Sequence, residues 1–456
     1  MEPQNPNTGP GTRSDAVPRS LRIALVLNPF TLKRKGGDHA PWLARELLGR
    51  GHAVRAFGDV IGGIPQSQLE AATDDGAAPL ERAGLLSFQP DVIVAYDGLS
   101  PAAWRGARAA RKLGIPLVLV EEGFPDRGKL VERGLRYFGA QVWGGFVRRT
   151  ASHVIALDRA AEAQSHQEGF RSDVVTVLPS GVDTATYRPG LSSEVLYRHR
   201  VAGEVLLHIG RIEPGRGIDV LIDAFARTVG RRGDWSLVFA GVGSHRAALR
   251  AQADRLGVGA RVHWTPVPAT EELPGLLGAS TALLVPAMDD DVASLKIRRA
   301  MACGIPVLVS DVDRLSGMVE HEESGLVVQA GDREAWTQAI SRLSSDPNRR
   351  ARWGRAARLR ATEFFSWPHI VDRVEATLLQ SVRLRQASIQ AGDGQLDQAD
   401  LAAGALRRNG TKGRPTHGAG TVVPETSGLD TSGLDTEVAG DEVADRSCDN
   451  GKLAAG

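Results

Sequence analysis

Short, wholly apolar runs recur along this chain at intervals set by amphipathic stretches of helix length, and that alternation admits few folds. RIALVLN opens the series near residue 21, and residues 52–57, 91–95, 115–120, 153–156 and 174–178 repeat it. Helix-like stretches at 38–50, 101–113 and 159–168 lie between the runs. Strands without a polar alternate face are buried on both sides, as in a parallel sheet covered by helices. A turn-rich segment, PSGVDTATYRP at residues 179–189, interrupts the series. The alternation then restarts, with runs at 205–209, 236–240, 262–264, 282–286, 305–309 and 326–328. Two doubly wound α/β halves in tandem, facing across a cleft, are the expected architecture, and 456 residues are too many for one ordinary core.

Five segments follow. Residues 1–20 are a polar leader expected to be disordered, 21–190 the first α/β half and 191–365 the second. Residues 366–385 form a final long helix, and 386–456 an acidic tail. The tail holds no aromatic residue and repeats TSGLD twice, so it buries too little apolar surface to offset chain entropy. It carries 6 basic and 11 acidic residues, which leaves 49 basic against 43 acidic in the rest. Such a mild excess suits an anionic ligand or an anionic membrane surface. The whole-chain balance of 55 to 54 argues against nucleic acid as a partner. Two cysteines, Cys303 and Cys448, make neither a disulfide framework nor a zinc site. With no secretory h-region and no apolar run of membrane-spanning length, a cytoplasmic protein is expected.

Candidate chemistry collects where strands give way to helices. Gly36 and Gly37 precede the first helix, where backbone approaches a ligand closely and the helix N-terminus favours negative charge. The loop GRIEPGRG, residues 210–217, sets Arg211 and Arg216 after a strand, and guanidiniums fork onto phosphate oxygens. Residues 288–311, MDDDVASLKIRRAMACGIPVLVSD, add Asp289, Asp290 and Asp291, a possible helix cap at Ser294, then Leu295, Lys296 and Arg299. The three aspartates lack a second converging cluster, so contact with hydroxyls is expected and a metal is not. Glu121 and Glu122, after the strand at 115–120, are candidates to touch an acceptor or a developing charge; as loop residues they are equally readable as solvated. The histidines show no metal-ligand spacing and read as structural. An arginine-bordered apolar stretch at 129–149 reads either as a core helix or as a surface resting on a membrane.

The motifs GGDHAPWLARELLGRGHAV, VLPSGVDTATYRP, LLHIGRIEPGRGIDVLIDAFA and RRAMACGIPVLVSDV together resemble the retaining family 4 glycosyltransferases of the GT-B fold, over residues 22–379. The resemblance implies a nucleotide-sugar donor held mainly by the second half and an acceptor held mainly by the first. It also implies transfer with retention, no metal or other cofactor, and a last helix crossing back to the first half. Gly36 and Gly37 would face the donor; Arg211 would bind its phosphates, with Arg216 in place of the family's lysine. Ser294, Leu295 and Lys296 would line the donor, Lys296 reaching phosphate. Two family glutamates with seven residues between them fall on Asp291 and on Arg299. The first is shortened by a methylene. The second is a charge reversal, and a guanidinium has no acceptor atom for ribose hydroxyls. A family histidine falls on Glu122, which with Asp291 is the expected catalytic pair, and another falls on Tyr96.

Two readings stay open. One is an active glycosyltransferase with an altered donor site, acting on a glycan, a lipid-linked or a small-molecule acceptor, with peripheral contact at the inner face of the membrane. The other is a weak or inactive relative that binds a sugar nucleotide or a partner. A nucleotide-sugar 2-epimerase on the same fold ranks last.

Overall fold

The computed structural model describes residues 20–27, 39–58, 82–122, 138–288, 294–312, 315 and 317–391, all within one compact unit, Met1–Leu396. The apolar runs form two parallel sheets of six strands. The first, in the order β2-β1-β3-β4-β5-β6, is built from β1 (Arg22–Leu27), β2 (Ala53–Gly58), β3 (Val92–Tyr96), β4 (Leu117–Glu121), β5 (Ala151–Ala156) and β6 (Val175–Val177). The second, in the order β12-β11-β10-β7-β8-β9, holds β7 (Glu204–Ile209), β8 (Trp235–Ala240), β9 (Val262–Thr265), β10 (Ala282–Val285), β11 (Val307–Ser310) and β12 (Gly325–Val328). In each sheet the strand order reverses beside the first strand, between β1 and β3 and between β7 and β10. Open α/β sheets bind ligands outside the carboxyl ends of strands at such reversals.

Local signals set the helix ends. Ser100 Oγ accepts from the Ala103 amide at 3.1 Å to cap Pro101–Leu113, and Gly114 closes that helix in the left-handed region (φ 68°). Alternate residues of β1 to β5 feed cores on both faces of the first sheet. One face is covered by the last helix, Trp367–Gln390, through Trp367, Ile370, Val371, Val374, Leu378 and Val382. That spacing is the apolar stripe of an amphipathic helix. Arg50 fixes the helix further, donating to Asp372 at 2.6 Å, Glu375 at 2.8 Å and the Pro368 carbonyl at 2.9 Å. The chain thus crosses back from the second half onto the first.

The junction is tied at both ends. Val182 donates to the Phe365 carbonyl at 2.7 Å and accepts from the Trp367 amide at 3.3 Å. The Arg358 guanidinium donates to the carbonyls of Ala302 (2.6 Å), Tyr187 (2.8 Å) and Thr184 (3.0 Å). It therefore joins the junction to the C-terminus of the helix Leu295–Ala302.

Some expectations change. The crossover helix continues to Gln390 instead of stopping at 385, because ASIQ holds no helix breaker and the end is set at Ala391. Of the stretch 129–149, residues 129–137 lie outside the described residues. Its described part is a π-helical turn, Ala140–Gly144, followed by the helix Gly145–Thr150. Val147 is buried there, but Phe138 and Val142 are more than half exposed, so the apolar set is not one core face. Arg148 turns inward to the Glu168 carbonyl at 2.9 Å.

Candidate active site

At the reversal of the second sheet three strand-end loops pack closely. Ile212 donates to the Val242 carbonyl at 2.9 Å and accepts from the His245 amide at 3.0 Å. Gly241 sits against the Gly210 carbonyl, which occupies the space a Cβ would need. Gly217 takes a left-handed φ of 69° against the Pro286 carbonyl, a place closed to a larger residue. The GRIEPGRG loop is therefore held by its neighbours. Glu213 pins it further by accepting from Ser244 N at 3.2 Å and Ser244 Oγ at 2.5 Å. The Ser244 hydrogen bonds, then the charges of Arg211 and Arg216, hold the Glu213 carboxyl below its usual range. The structure thus gathers both arginines at the carboxyl end of β7, with Arg211 exposed and Arg216 half-buried.

Lys296 arrives at the same place from the helix Leu295–Ala302. Its ammonium donates to the Ile209 carbonyl, the last of β7, at 2.8 Å. A Cβ on Gly210 would lie 3.5 Å from Lys296 Nζ and 3.2 Å from His208 Nε2, so all three share one small space. His208 donates through Nδ1 to the Leu284 carbonyl at 3.0 Å, which leaves Nε2 as a buried acceptor with no hydrogen-bond partner. Burial, then the Lys296 charge, pulls its pKa down to about 3.

Arg299, one turn beyond Lys296, lies with its guanidinium 5.1 Å from the Tyr187 ring centroid. Ser294 and Leu295 are half-buried at the helix entry. The capping expectation for Ser294 fails: its backbone is already helical (φ −67°, ψ −20°) and its side chain makes no capping bond. An N-cap hydroxyl needs an extended backbone to reach back to the first-turn amides. Gly36, Gly37 and Asp291 lie outside the described residues.

At the carboxyl end of the first sheet the two glutamates separate. Glu121 is the last residue of β4 and buried, and its Oε1 accepts from the Gly98 amide at 2.6 Å. It braces a turn in which Asp97 takes φ 60°, and is not a loop residue open to an acceptor. Glu122 is half-exposed at the strand end, near enough to raise Tyr96 after burial has done so. The Tyr96 hydroxyl, fully buried, lies 2.8 Å from His39 Nδ1. The His39 ring packs on Trp367 at 5.5 Å. Burial, then the charge of Arg298 from the other half, lowers the His39 pKa to about 3. Cys303 is buried with its thiol pushed up to about 12, too high to serve as a nucleophile.

His39, His208 and Arg298 are absent from the sequence-based site. For Arg298 a signal existed. It shares a helix face with buried Met301 and Ala302, where an arginine is out of place.

Both buried histidines titrate near 6.5 when unfolded and near 3 when folded, so the unfolded chain binds their protons first as pH falls. Their stabilising effect is complete above pH ~6.5 and declines below it, each by up to about 1.4 kcal/mol per pH unit. Urea unfolding at pH 7 and pH 5.5 reads this, and His208→Gln should reduce the pH dependence, with His39 and smaller shifts at His153 and His263 supplying the rest. An unchanged slope in that variant would show that His208 takes up its proton while folded.

The fold and the two facing strand-end sites define a GT-B architecture. HepE of Anabaena, solved in complex with UDP, superposes with a TM-score of 0.65 at 20% identity, covering 78% of this chain and 99% of its own. Residues 197–360 match the family Glycosyl transferases group 1, and residues 36–181 match the Glycosyl transferase 4-like domain. The chain belongs to the group 1 glycosyl transferases. The D-inositol 3-phosphate glycosyltransferase of Rhodococcus jostii is 32% identical over 243 residues, 51% of this chain and 52% of the relative. That of Acidothermus cellulolyticus is 31% identical over 309 residues, 62% of this chain and 66% of the relative. The chain thus matches between about half and two thirds of the length of these curated relatives.

Proposed function

We propose that the protein transfers a sugar, with retention and without a metal, from a nucleotide-sugar to an acceptor held against the first sheet. The carrying observation is the convergence of Lys296 with the Arg211–Arg216 loop at the carboxyl end of β7. Fixed cations there stabilise the leaving diphosphate, the charge that develops as the glycosidic bond breaks. Gly36, Gly37, Ser294 and Leu295 belong to this donor side by family position, and Asp291 and Glu122 to the sugar and acceptor side. UDP bound to HepE makes uridine nucleotides the first donors to try. The relatives' names make a phosphorylated polyol the first acceptor. A thermal-shift panel of UDP-, GDP- and ADP-sugars tests the donor site, with stabilisation by at least one expected.

One observation favours the second reading, a nucleotide-sugar binder with weak activity. Arg299 occupies the ribose-gripping position and spends its cationic face on Tyr187. Arg299→Glu restores acceptor atoms and is expected to tighten a neutral UDP-hexose about 10-fold. Weaker binding would show that the guanidinium itself serves the ligand.

We also propose a cytoplasmic location with peripheral contact at the inner membrane face. No helix among the described residues is long and apolar enough to cross a membrane. Phe138 and Val142, exposed about one turn apart, are the contact. Sedimentation with anionic liposomes should carry the protein down, and Phe138→Ser with Val142→Ser should leave it in solution; equal sedimentation of both would refute that contact.

A further inference from the structure

Arg298 is buried, at 3% exposure, yet its Nε and Nη1 have no hydrogen-bond partner. From Leu295–Ala302 in the second half, its charge acts on residues of the first. Among these is His39, itself 1% exposed, whose Nε2 is likewise unpartnered. The other is Asp158, whose Oδ1 accepts from the Ala161 amide at 2.8 Å as a helix cap. Burial lowers the Arg298 pKa only to about 10, so the group is a cation at neutral pH. A buried guanidinium with unused donors costs several kcal/mol unless an anion meets it. Asp158 offsets part of that charge while its Oδ1 also serves the helix cap.

We propose that Arg298 and His39 form a binding subsite for an anionic group, a phosphate or a carboxylate, between the two halves at the carboxyl end of the first sheet. The protein places two unsatisfied polar groups from opposite halves within electrostatic reach of each other. The subsite requires the tautomer in which the Tyr96 hydroxyl donates to Nδ1 and Nε2 carries the hydrogen, so that both groups present donors. Trp367 against the His39 ring and Tyr96 at its other nitrogen keep that imidazole in place. The subsite is distinct from the diphosphate loop, which lies at the end of β7. Assigning the bound group to the acceptor rests on the glycosyltransferase reading; the existence of the subsite does not. A donor sugar bearing a carboxylate would supply the same chemistry.

Thermal shift separates these points, with inorganic phosphate and UDP as probes on the full chain. Wild type is expected to be stabilised by each, and by both together more than by either. Arg211→Ala should lose the UDP shift and keep a phosphate shift. Arg298→Leu should keep the UDP shift and weaken phosphate about 10- to 100-fold, the loss expected for one charge-assisted contact. Without ligand, Arg298→Leu should melt at or above the wild-type temperature, since an unmatched buried charge is gone. Arg298→Gln serves if the leucine variant does not fold, and should show the same loss. A phosphate shift unaltered in these variants overturns the subsite. So does a ligand-free melting temperature that falls with an undiminished phosphate response, which marks a purely structural arginine. Absence of any UDP shift, with the phosphate results as expected, would overturn the donor reading alone. The source is then read by comparing D-inositol 3-phosphate with inositol, and UDP-glucuronate with UDP-glucose, in wild type and Arg298→Gln. Loss of preference for the phosphorylated acceptor assigns the subsite to the acceptor; loss of preference for the charged donor assigns it to the donor. No change in either preference contradicts a role in the reaction.

Discussion

Arg211→Ala is expected to fold normally and to lower kcat/KM for the preferred nucleotide-sugar by about 100- to 1,000-fold, the usual effect of removing one fixed charge-stabilising donor. Normal folding is expected because the guanidinium is exposed, while the loop carrying it is held by other groups. Those groups are the Ile212 backbone bonds to Val242 and His245, and the Glu213 carboxylate on Ser244. The Arg211 charge acts on the Glu213 carboxylate, but its side chain makes none of these hydrogen bonds. Urea unfolding alongside the kinetics keeps the two effects apart. Equal activity of the variant and wild type would remove the GRIEPGRG loop from the proposed mechanism. A large fall in stability would show that the arginine holds the loop itself.

Trp367→Ala should cost about 3–5 kcal/mol, as for a large buried aromatic truncated to alanine. The indole is 3% exposed, stacks on Trp42 at 5.9 Å and packs against His39 at 5.5 Å. It also fills the space beside Gly181 where a Cβ would stand, so the junction after β6 and the first turn of the crossover helix share one packing unit. The loss is expected to appear as a lower urea midpoint. Because His39 leans on the same ring, binding between the halves should weaken as well. A cost below about 1 kcal/mol would mean that the site collapses around the missing ring and that the helix docks mainly through Val371, Val374 and Leu378.

The strands were readable because parallel strands buried on both faces must be apolar throughout, and runs such as Leu283 to Val285 show it. The crossover helix was readable by its stripe, though its end lay five residues further on, since nothing in ASIQ stops a helix. The GRIEPGRG loop was legible as a candidate site from glycines and arginines between a strand and a helix. Pairings between residues far apart in the chain were not. His39 meets Tyr96 across 57 positions, and Lys296 meets the Ile209 carbonyl across 87. Glu121 and Glu122 are adjacent and both acidic, yet one braces the Gly98 turn and the other is half-exposed at the strand end. That division follows from which side of β4 each leaves. Ser294 had the right residue type for a cap and the wrong backbone for it.

We propose that charges gathered at the end of β7 hold a nucleotide-sugar for transfer. It is tested most directly by incubating the protein with single nucleotide-sugars and a panel of polyol phosphates and following products by mass. The expected result is one donor whose hexosyl mass appears on an acceptor in wild type and is strongly reduced in Arg211→Ala. Transfer at equal rate in the two proteins would contradict it.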